Sequence, residues 1–254
     1  TNNEFAILYR TNAQSRSFEE ALRKLNIAYK IYGGTSFYQR KEVRDFLAYL
    51  RLTVNPNDEE ALKRIINYPK RGLGDKTVSD IAALGSQQKQ PMYEIARSAA
   101  SYPDLAGKAK RIQPFVDLIE KFQARVDTDP IDILAEDLVA DLKLIEELRA
   151  EDAVVGEAKV ENIEAFIEGA AEFARGRSEA NLRDYLSEIS LFSDTDQYKE
   201  IEEKITLMTI HAAKGLEYET VYLVGLEEGL FPLQRTIVEP MELEEERRLF
   251  YVAA

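Results

Sequence analysis

The sequence contains no cysteine and no tryptophan, and only one histidine among its 254 residues. The lack of cysteine excludes disulfide bonds and thiolate metal sites. A zinc site would have to be built from carboxylates around a single imidazole, which is a poor ligand set for this metal. Metal-centred and redox chemistry therefore rank lowest among the functions that this chain could perform.

Long apolar runs are also missing. No stretch approaches the roughly 20 apolar residues that a membrane-spanning helix needs, and no basic segment followed by an apolar one opens the chain. We therefore expect a soluble, cytoplasmic protein with no membrane partner. Hydrophobic residues make up 45% of the chain, which is enough to form a packed core in one large domain or two small ones.

Basic residues are outnumbered, with 33 Lys and Arg against 46 Asp and Glu and a net charge of -13. This balance repels a polyanion at long range, so binding to nucleic acid would require an uneven distribution of charge. The distribution is uneven, because residues 63–76 contain five basic side chains and one acidic side chain. Residues 136–168 are acidic, and we interpret them as a solvated helical surface, with a protein-binding surface as the alternative.

The spacing of apolar residues divides the chain into three parts. Residues 5–9 and 28–32 are short apolar runs typical of buried strands, and residues 16–25 between them have helical spacing. From about residue 41 to residue 200 only helical spacing recurs. The strand-like and helical segments that follow are 205–210, 220–224 and 242–254.

This order predicts the fold class and the domains. A strand–helix–strand unit that gives way to helices and then resumes is explained most simply as one parallel α/β domain with an all-helical domain inserted into a loop. The predicted α/β domain comprises residues 1–54 and 200–254, and the predicted inserted helical domain comprises residues 55–199.

Four segments of the sequence carry a resemblance to a known family. They are FAILYRTNAQSR at 5–16, YGGTSFYQRKEVRD at 32–45, LMTIHAAKGLEY at 207–218 with its continuation VGLEEGLFP at 224–232, and EEERRLFYV at 244–252. In this order they resemble motifs IV, IVa, V and VI of the superfamily 1 DNA helicases of the UvrD, PcrA and Rep type. The resemblance implies an incomplete RecA-like second motor domain, interrupted by the all-helical domain of this family.

The resemblance implies that four residues contact ATP. Tyr9 would stack on adenine, and Arg10 would be the catalytic arginine that reaches the γ-phosphate. An arginine in this position stabilises the charge that spreads over the phosphate oxygens during transfer. In motif V, Gly215 would permit a close approach to the nucleotide and Glu217 would contact the ribose. The alternative for Tyr9 and Arg10 is a tyrosine half-buried at a strand end and a surface arginine in an ion pair.

The resemblance also implies contacts with single-stranded DNA. Thr209 and His211 of motif V would contact the DNA, whereas the alternative for His211 is a structural hydrogen bond or an idle surface position. Thr35 and Arg40 follow the Gly33-Gly34 turn and have the donors that suit phosphate.

Two aromatic residues of the same segment have two interpretations. Phe37 and Tyr38 either stack on DNA bases or belong to the core where the next helix begins.

Residues 68–77, YPKRGLGDKT, have the pattern of a helix-hairpin-helix turn. Glycines at the start of a helix free backbone amides that bind phosphate without reading sequence. The resemblance assigns Arg71, Gly72, Gly74 and Lys76 to duplex DNA ahead of the fork. The alternative is an ordinary turn between helices with solvated charges.

The machinery for ATP hydrolysis is expected elsewhere. The sequence contains no Gly-x-x-x-x-Gly-Lys-Ser/Thr stretch and no strand followed by paired acids that would hold Mg²⁺. The resemblance places both in a first motor domain, expected before Thr1, so we expect this chain to be inactive alone. The second phosphate-sensing arginine is expected beyond Ala254. Arg247 and Arg248 are expected to pair with the preceding glutamates or with the neighbouring motor domain.

The leading hypothesis is therefore an ATP-dependent 3′-to-5′ DNA helicase that unwinds duplex DNA in repair or replication restart, with the polarity implied by resemblance alone. Its expected partners are ATP with Mg²⁺, single-stranded and duplex DNA, the first motor domain, and proteins bound through the helical domain. One alternative is a non-catalytic module, derived from a helicase, that binds DNA or protein. Another is the helicase part of a helicase–nuclease.

Overall fold

The computed structural model describes residues 1–151, 153–175, 177, 180–193 and 201–253. The chain divides into two compact units, one formed by Thr1–Arg40 with Ile189–Ala254 and the other by Lys41–Glu188. The domain boundaries predicted from the sequence, after residues 54 and 199, stay a prediction. The second of these boundaries lies outside the described residues.

A parallel sheet forms the centre of the first unit. Its strands are β1 (Phe5–Tyr9), β2 (Tyr29–Ile31), β3 (Ile205–Thr209) and β4 (Thr220–Leu223), in the order β2-β3-β1-β4. Tyr9 lies opposite Thr209 in the register of β1 and β3. Because all the strands run in the same direction, their carboxyl ends meet at one edge of the sheet. The predicted mixed α/β class with a parallel sheet is confirmed.

Helices account for most of the remaining secondary structure. Among the described residues the α-helices are α1 (Ser15–Lys24), α2 (Lys41–Val54), α3 (Glu59–Ile65), α4 (Asp75–Gln88), α5 (Met92–Arg97), α6 (Pro103–Ala106), α7 (Ala109–Gln123), α8 (Ile131–Leu142), α9 (Leu144–Glu151), α10 (Ala153–Ala174), α11 (Leu182–Ser193) and α12 (Pro240–Ala253). None of these helices, as far as the structure describes them, is long and apolar enough to cross a membrane.

The central strands β1 and β3 of the first unit are covered on both faces, whereas the edge strand β4 is partly exposed. Successive residues of a strand point to opposite faces, so Leu8 and Tyr9 belong to different core clusters. Leu8 packs with Met208 and with Leu249 of α12, whereas Tyr9 packs with Leu22 of α1. Apolar runs without polar alternation, such as residues 5–9, are typical of parallel strands covered on both sides.

The second unit, in its described residues, is built from helices. Apolar side chains at helical spacing on α2 pack against α7 and α10, where Phe46 contacts Phe166 edge to face and Tyr49 contacts Phe115. One polar pair lies within this core: Asn162 donates a 2.6 Å hydrogen bond to the buried carboxylate of Glu42. The pair satisfies two polar groups that would otherwise be costly to bury.

The strand predicted over residues 205–210 ends one residue early, and the cause is local. Thr209 caps a short 3-10 helix, Ile210–Ala213, because its hydroxyl accepts a hydrogen bond from the backbone N–H of Ala212 at 3.3 Å. The other predicted strands and helices of the first unit are confirmed to within two residues at each end.

Candidate functional site

The turn after β1 is fixed by the side chain of Gln14. Its Oε1 atom accepts hydrogen bonds from the backbone N–H groups of Arg10, at 2.8 Å, and Thr11, at 2.9 Å. Gly225 provides the space for this side chain, since a Cβ at residue 225 would overlap the Nε2 atom of Gln14. Gly225 also has a φ of +70°, which other residues adopt only with strain. The backbone at Arg10 is therefore held at the carboxyl edge of the sheet.

The side chain of Arg10 forms a bidentate ion pair with Glu246 of α12. Nε lies 3.0 Å from each carboxylate oxygen, and Nη2 lies 2.6 Å from Oε1. The side chains are 15% and 6% exposed, so solvent screens this pair weakly. Sequence reasoning missed Glu246, because nothing in the run of three glutamates at 244–246 indicates which of them faces a strand end 236 residues away.

Tyr9 is buried rather than half-buried. Its side chain is 1% exposed and packs with Leu22, Tyr29 and Leu207, and burial raises the pKa of its hydroxyl. Neither face of the ring is open to a nucleobase in this arrangement. Stacking on adenine would require the ring to leave the core, and that role stays a prediction that this geometry does not support.

The motif V turn lies beside the ion pair. Part of the His211 side chain on this turn is open to solvent, but nearby protein atoms displace some of its water. This desolvation, together with the positive charge of Arg10, lowers the pKa of His211, while Glu246 opposes the shift. A lowered pKa keeps the imidazole neutral at pH 7. The structure thus brings Arg10, Glu246 and His211 together at the carboxyl edge of the sheet.

The loop that leads from this turn to β4 carries the other two predicted nucleotide contacts. Gly215 and Glu217 are both exposed, and a Cβ built on Gly215 would meet no atom within 4 Å. The backbone at Gly215 is therefore accessible to a ligand.

The Gly33-Gly34 turn lies against the motif V turn. An ideal Cβ on Gly33 would lie 3.1 Å from the Cβ of Ala212, and the N–H of Tyr32 donates to the carbonyl of Leu207 at 2.9 Å. Thr35 is exposed on this turn. Gly33 thus allows two predicted DNA-binding segments to pack side by side.

The guanidinium of Arg40 is used in hydrogen bonds within the first unit. Its Nη1 donates to the carbonyl of Asn12 at 2.8 Å, its Nη2 to Ser15 Oγ at 2.8 Å, and its Nε to the carbonyl of Thr35 at 3.3 Å. The side chain is buried, with the guanidinium over the ring of Phe37. As a DNA ligand, Arg40 stays a prediction that this geometry does not support.

The two aromatic residues of motif IVa lie in the core. Phe37 and Tyr38 are fully or almost fully buried and contact each other edge to face, with ring centroids 5.1 Å apart. Of the two interpretations of these residues, the core one is confirmed.

A buried carboxylate joins α1 to the motif IVa loop, and sequence reasoning missed it. Glu19 accepts hydrogen bonds from the hydroxyls of Ser15, Tyr29 and Ser36 and from the backbone N–H of Phe37. The side chain is fully enclosed, yet its oxygens are satisfied. An acidic residue within the apolar stripe of a helix is the one feature of the sequence that could have indicated it.

In the helical unit, Arg71 is bound within the turn between α3 and α4. Its Nη1 donates to the carbonyls of Ile65 at 3.1 Å and Tyr68 at 2.9 Å, and its Nη2 donates to the hydroxyl of Tyr49 at 2.8 Å. The guanidinium also lies over the ring of Phe115. Arg71 thus holds the turn together, and direct contact with DNA stays a prediction that this geometry does not support.

Other residues of the same turn are open to solvent, although Leu73 between them is buried. Gly72, Gly74 and Lys76 are exposed, and Gly74 precedes α4 without a side-chain cap for the first backbone N–H groups. Arg111 of α7 is exposed nearby, with Nη1 3.4 Å from the carbonyl of Gly72. Free amides at a helix N-terminus, with cations beside them, are typical of a site that binds phosphate.

The arginines of motif VI pair locally. Arg247 contacts Glu244 at 2.6 Å and Arg248 contacts Glu245 at 3.3 Å, which confirms the predicted pairing with the preceding glutamates. Within the described part of the chain, no group of three or more acidic or histidine side chains could hold a metal ion.

The comparisons with known proteins agree with this arrangement of motifs. Residues 1–254 match the UvrD-like helicase C-terminal domain, and the chain belongs to this family. It is 40% identical over 255 residues to the ATP-dependent DNA helicase PcrA of Bacillus subtilis, covering 98% of this chain and 34% of that protein.

Two further relatives have similar coverage. The chain is 36% identical over 253 residues to DNA helicase II of Escherichia coli, covering 98% of this chain and 35% of that protein. It is 37% identical over 270 residues to the ATP-dependent DNA helicase UvrD1 of Mycobacterium tuberculosis, covering 99% and 35%. The chain thus spans about a third of the length of these relatives.

Proposed function

We propose that the protein containing this chain is an ATP-dependent DNA helicase that moves 3′ to 5′ on single-stranded DNA and unwinds duplex DNA in repair or replication restart. Family membership and the names of the relatives support the helicase activity. The observation that carries the proposal is Arg10, held at the carboxyl edge of the sheet beside the motif V turn.

In this proposal the first unit belongs to a RecA-like second motor domain, and the helical unit is the all-helical domain inserted into it. A first motor domain of the same protein supplies the P-loop and the ligands for Mg²⁺. The parallel sheet supports the first assignment, because such sheets bind ligands at their carboxyl edge.

The residues at this edge fit a nucleotide. Bound ATP supplies the phosphoryl group that is transferred, and the guanidinium of Arg10 stabilises the charge on its γ-phosphate. The open backbone at Gly215 and the exposed carboxylate of Glu217 bind the ribose side of the nucleotide. Arg10 is close enough to the surface to meet a ligand, because 15% of its side chain is exposed.

The DNA contacts in this proposal come from exposed turns within each unit. Thr35, Thr209 and His211 bind the backbone of single-stranded DNA, with a neutral His211 contributing hydrogen bonds rather than charge. In the helical unit, the amides near Gly72 and Gly74, together with Lys76, bind duplex phosphates. Lys70, Lys76 and Arg111 are exposed around this turn, and a local group of cations of this kind would offset the acidic net charge at the place where DNA binds.

The test is steady-state ATP hydrolysis by the full-length protein, with and without single-stranded DNA. We expect DNA to stimulate turnover in the wild type, and Arg10→Ala to lower the stimulated rate at least ~100-fold, as for loss of a transition-state arginine. Arg235→Ala, which removes an exposed arginine of the same unit, is the matched control and is expected to retain the wild-type rate.

Two results would contradict the proposal in different ways. A wild-type protein without DNA-stimulated hydrolysis would favour the alternative of a non-catalytic module that binds DNA or protein. A wild-type protein that hydrolyses ATP as fast as its Arg10→Ala variant would leave the helicase in place and remove Arg10 from its mechanism.

A further inference from the structure

We infer that Glu246 is a positioning residue that holds one edge of the Arg10 guanidinium and so directs the opposite edge toward the γ-phosphate of ATP. This inference rests on the proposed function, because it assumes that Arg10 meets a nucleotide. It adds to the proposed site a residue on α12 that itself contacts no nucleotide.

The hydrogen bonds of Arg10 leave half of its guanidinium available. The carboxylate of Glu246 accepts from Nε at 3.0 Å and from Nη2 at 2.6 Å, whereas none of the described residues accepts a hydrogen bond from Nη1. A guanidinium has five N–H donors in a planar fork. The Nη1–Nη2 edge therefore retains the paired donors that bind an oxyanion bidentately.

The burial of the pair restricts its geometry. A carboxylate as enclosed as that of Glu246, which is 6% exposed, is costly without a cation beside it. The position of the carboxylate is set by α12, because Leu249, one turn along that helix, packs against the core of the sheet. Arg10 is thus oriented by a partner on a rigid element, so that little reorganisation is needed when charge develops on the phosphate.

The two neighbouring glutamates show that this role depends on position and not on charge alone. Glu245 is 72% exposed and pairs with Arg248, and Glu244 pairs with Arg247. Only Glu246, among the described carboxylates, reaches Arg10. Glu245→Gln is therefore a matched control, since it removes the same charge from the adjacent residue of the same helix.

The same contact could have the opposite role, here called parking, in which Glu246 holds Arg10 in an inactive ion pair and competes with ATP for it. Parking requires the carboxylate to occupy the donors that the phosphate needs. Here the Nη1 atom stays available while the pair is formed, which favours positioning. The two roles predict opposite signs, because removal of a parking partner would raise turnover or tighten ATP binding.

The first measurement compares Glu246→Gln with Glu245→Gln in the full-length protein. We expect Glu246→Gln to lower kcat of DNA-stimulated ATP hydrolysis roughly 10-fold, which is within the range of closely coupled pairs, and to change KM less than about 3-fold. We expect the affinity for a non-hydrolysable ATP analogue to fall by no more than about the same 3-fold, and the affinity for ADP, which lacks the γ-phosphate, to stay unchanged. A merely structural role would weaken both nucleotides alike and lower the melting temperature in parallel.

The second measurement is a double-mutant cycle with Arg10→Ala. Because Glu246 acts through Arg10, Glu246→Gln should have no further effect on kcat in the Arg10→Ala background. Additive losses, a faster Glu246→Gln enzyme, or equal losses in Glu246→Gln and Glu245→Gln would each overturn the inference.

The role of Glu246 and the proposed role of Arg10 can be contradicted by different results. If Arg10→Ala is impaired while Glu246→Gln hydrolyses ATP and binds the analogue like the wild type, the inference is wrong and the proposed function stands. If Arg10→Ala itself behaves like the wild type, the proposed role of Arg10 fails, and the inference about Glu246 fails with it.

Discussion

Arg10 and Arg71 lie in two turns that the sequence assigns to phosphate binding, yet the structure uses them differently. Arg71 is surrounded by acceptors, with main-chain carbonyls on Nη1 and the hydroxyl of Tyr49 on Nη2. Arg10 is held along one edge by a single carboxylate. An arginine surrounded by carbonyls cross-links its own turn, whereas an arginine held along one edge keeps donors for a ligand.

The sharpest test of this contrast is Arg71→Ala, because it should affect stability where Arg10→Ala affects turnover. Removing hydrogen bonds from a charged group to several carbonyls is expected to lower the free energy of unfolding by about 2 to 3 kcal/mol. Denaturant unfolding followed by circular dichroism measures the change. Arg97→Ala, which removes an exposed arginine whose ion pair with Glu94 is also open to solvent, should cost less than about 0.5 kcal/mol. An Arg71→Ala protein of wild-type stability with lost DNA binding would reverse the interpretation.

Gly225→Ala tests whether the backbone at Arg10 depends on the space given to Gln14. A methyl group there would displace the Gln14 side chain, and the positive φ would add strain, so we expect a loss of about 1 to 2 kcal/mol of stability. We also expect DNA-stimulated hydrolysis to fall, because the amides of Arg10 and Thr11 lose their acceptor. Gly107→Ala, at a glycine with open space and an ordinary helical φ, should retain both stability and activity.

Lys76→Ala tests whether the turn between α3 and α4 binds DNA, because Lys76 in this turn faces solvent whereas Arg71 is bound internally. We expect weaker binding of duplex DNA and a salt dependence of log K reduced by about 0.9, as for one lost phosphate contact. Stability should be unchanged. Lys121→Ala is the control, since that lysine pairs with Asp141 on the same unit. Equal salt slopes for wild type and Lys76→Ala would remove Lys76 from the DNA surface.

The smallest expected effect concerns His211, whose pKa is lowered by desolvation and by the charge of Arg10. Its pKa in the folded protein lies below the ordinary 6.5, so the unfolded chain takes up a proton at a higher pH than the folded chain. Stability should therefore decrease as the pH falls from about 6.5 through the lowered pKa, and His211 should contribute no such change above pH 6.5. His211→Asn should remove this part of the pH dependence, measured as melting temperature between pH 7.5 and 5. An unchanged profile would show that His211 titrates normally.

The order of strands and helices in the first unit was predictable, because apolar runs such as residues 5–9 and the helical spacing of residues 16–25 are local features. The segments that meet at the carboxyl edge were predictable from the family motifs. The direction of individual side chains was not. Whether Tyr9 points into the core depends on which face of β1 is covered by α1, and whether Arg40 is bound internally depends on the carbonyl of Asn12, 28 residues away.

The pairing of Glu246 with Arg10 is a second case in which the sequence did not show the direction of a side chain. The sequence predicted that arginines of α12 would pair with nearby glutamates, which depends only on helical spacing of three or four residues. It could not show that one glutamate of the same run turns toward the sheet, because that choice depends on the tertiary packing of α12 through Leu249.

The buried carboxylate of Glu19 has a mechanical consequence for the loop that carries Thr35. Glu19 fastens the loop through Ser36 and the backbone of Phe37, while Arg40 binds the carbonyl of Thr35 itself. Because these hydrogen bonds join the loop to α1, the loop cannot move without moving α1. A force exerted by DNA on Thr35 would therefore be transmitted through these hydrogen bonds to α1 and to the sheet.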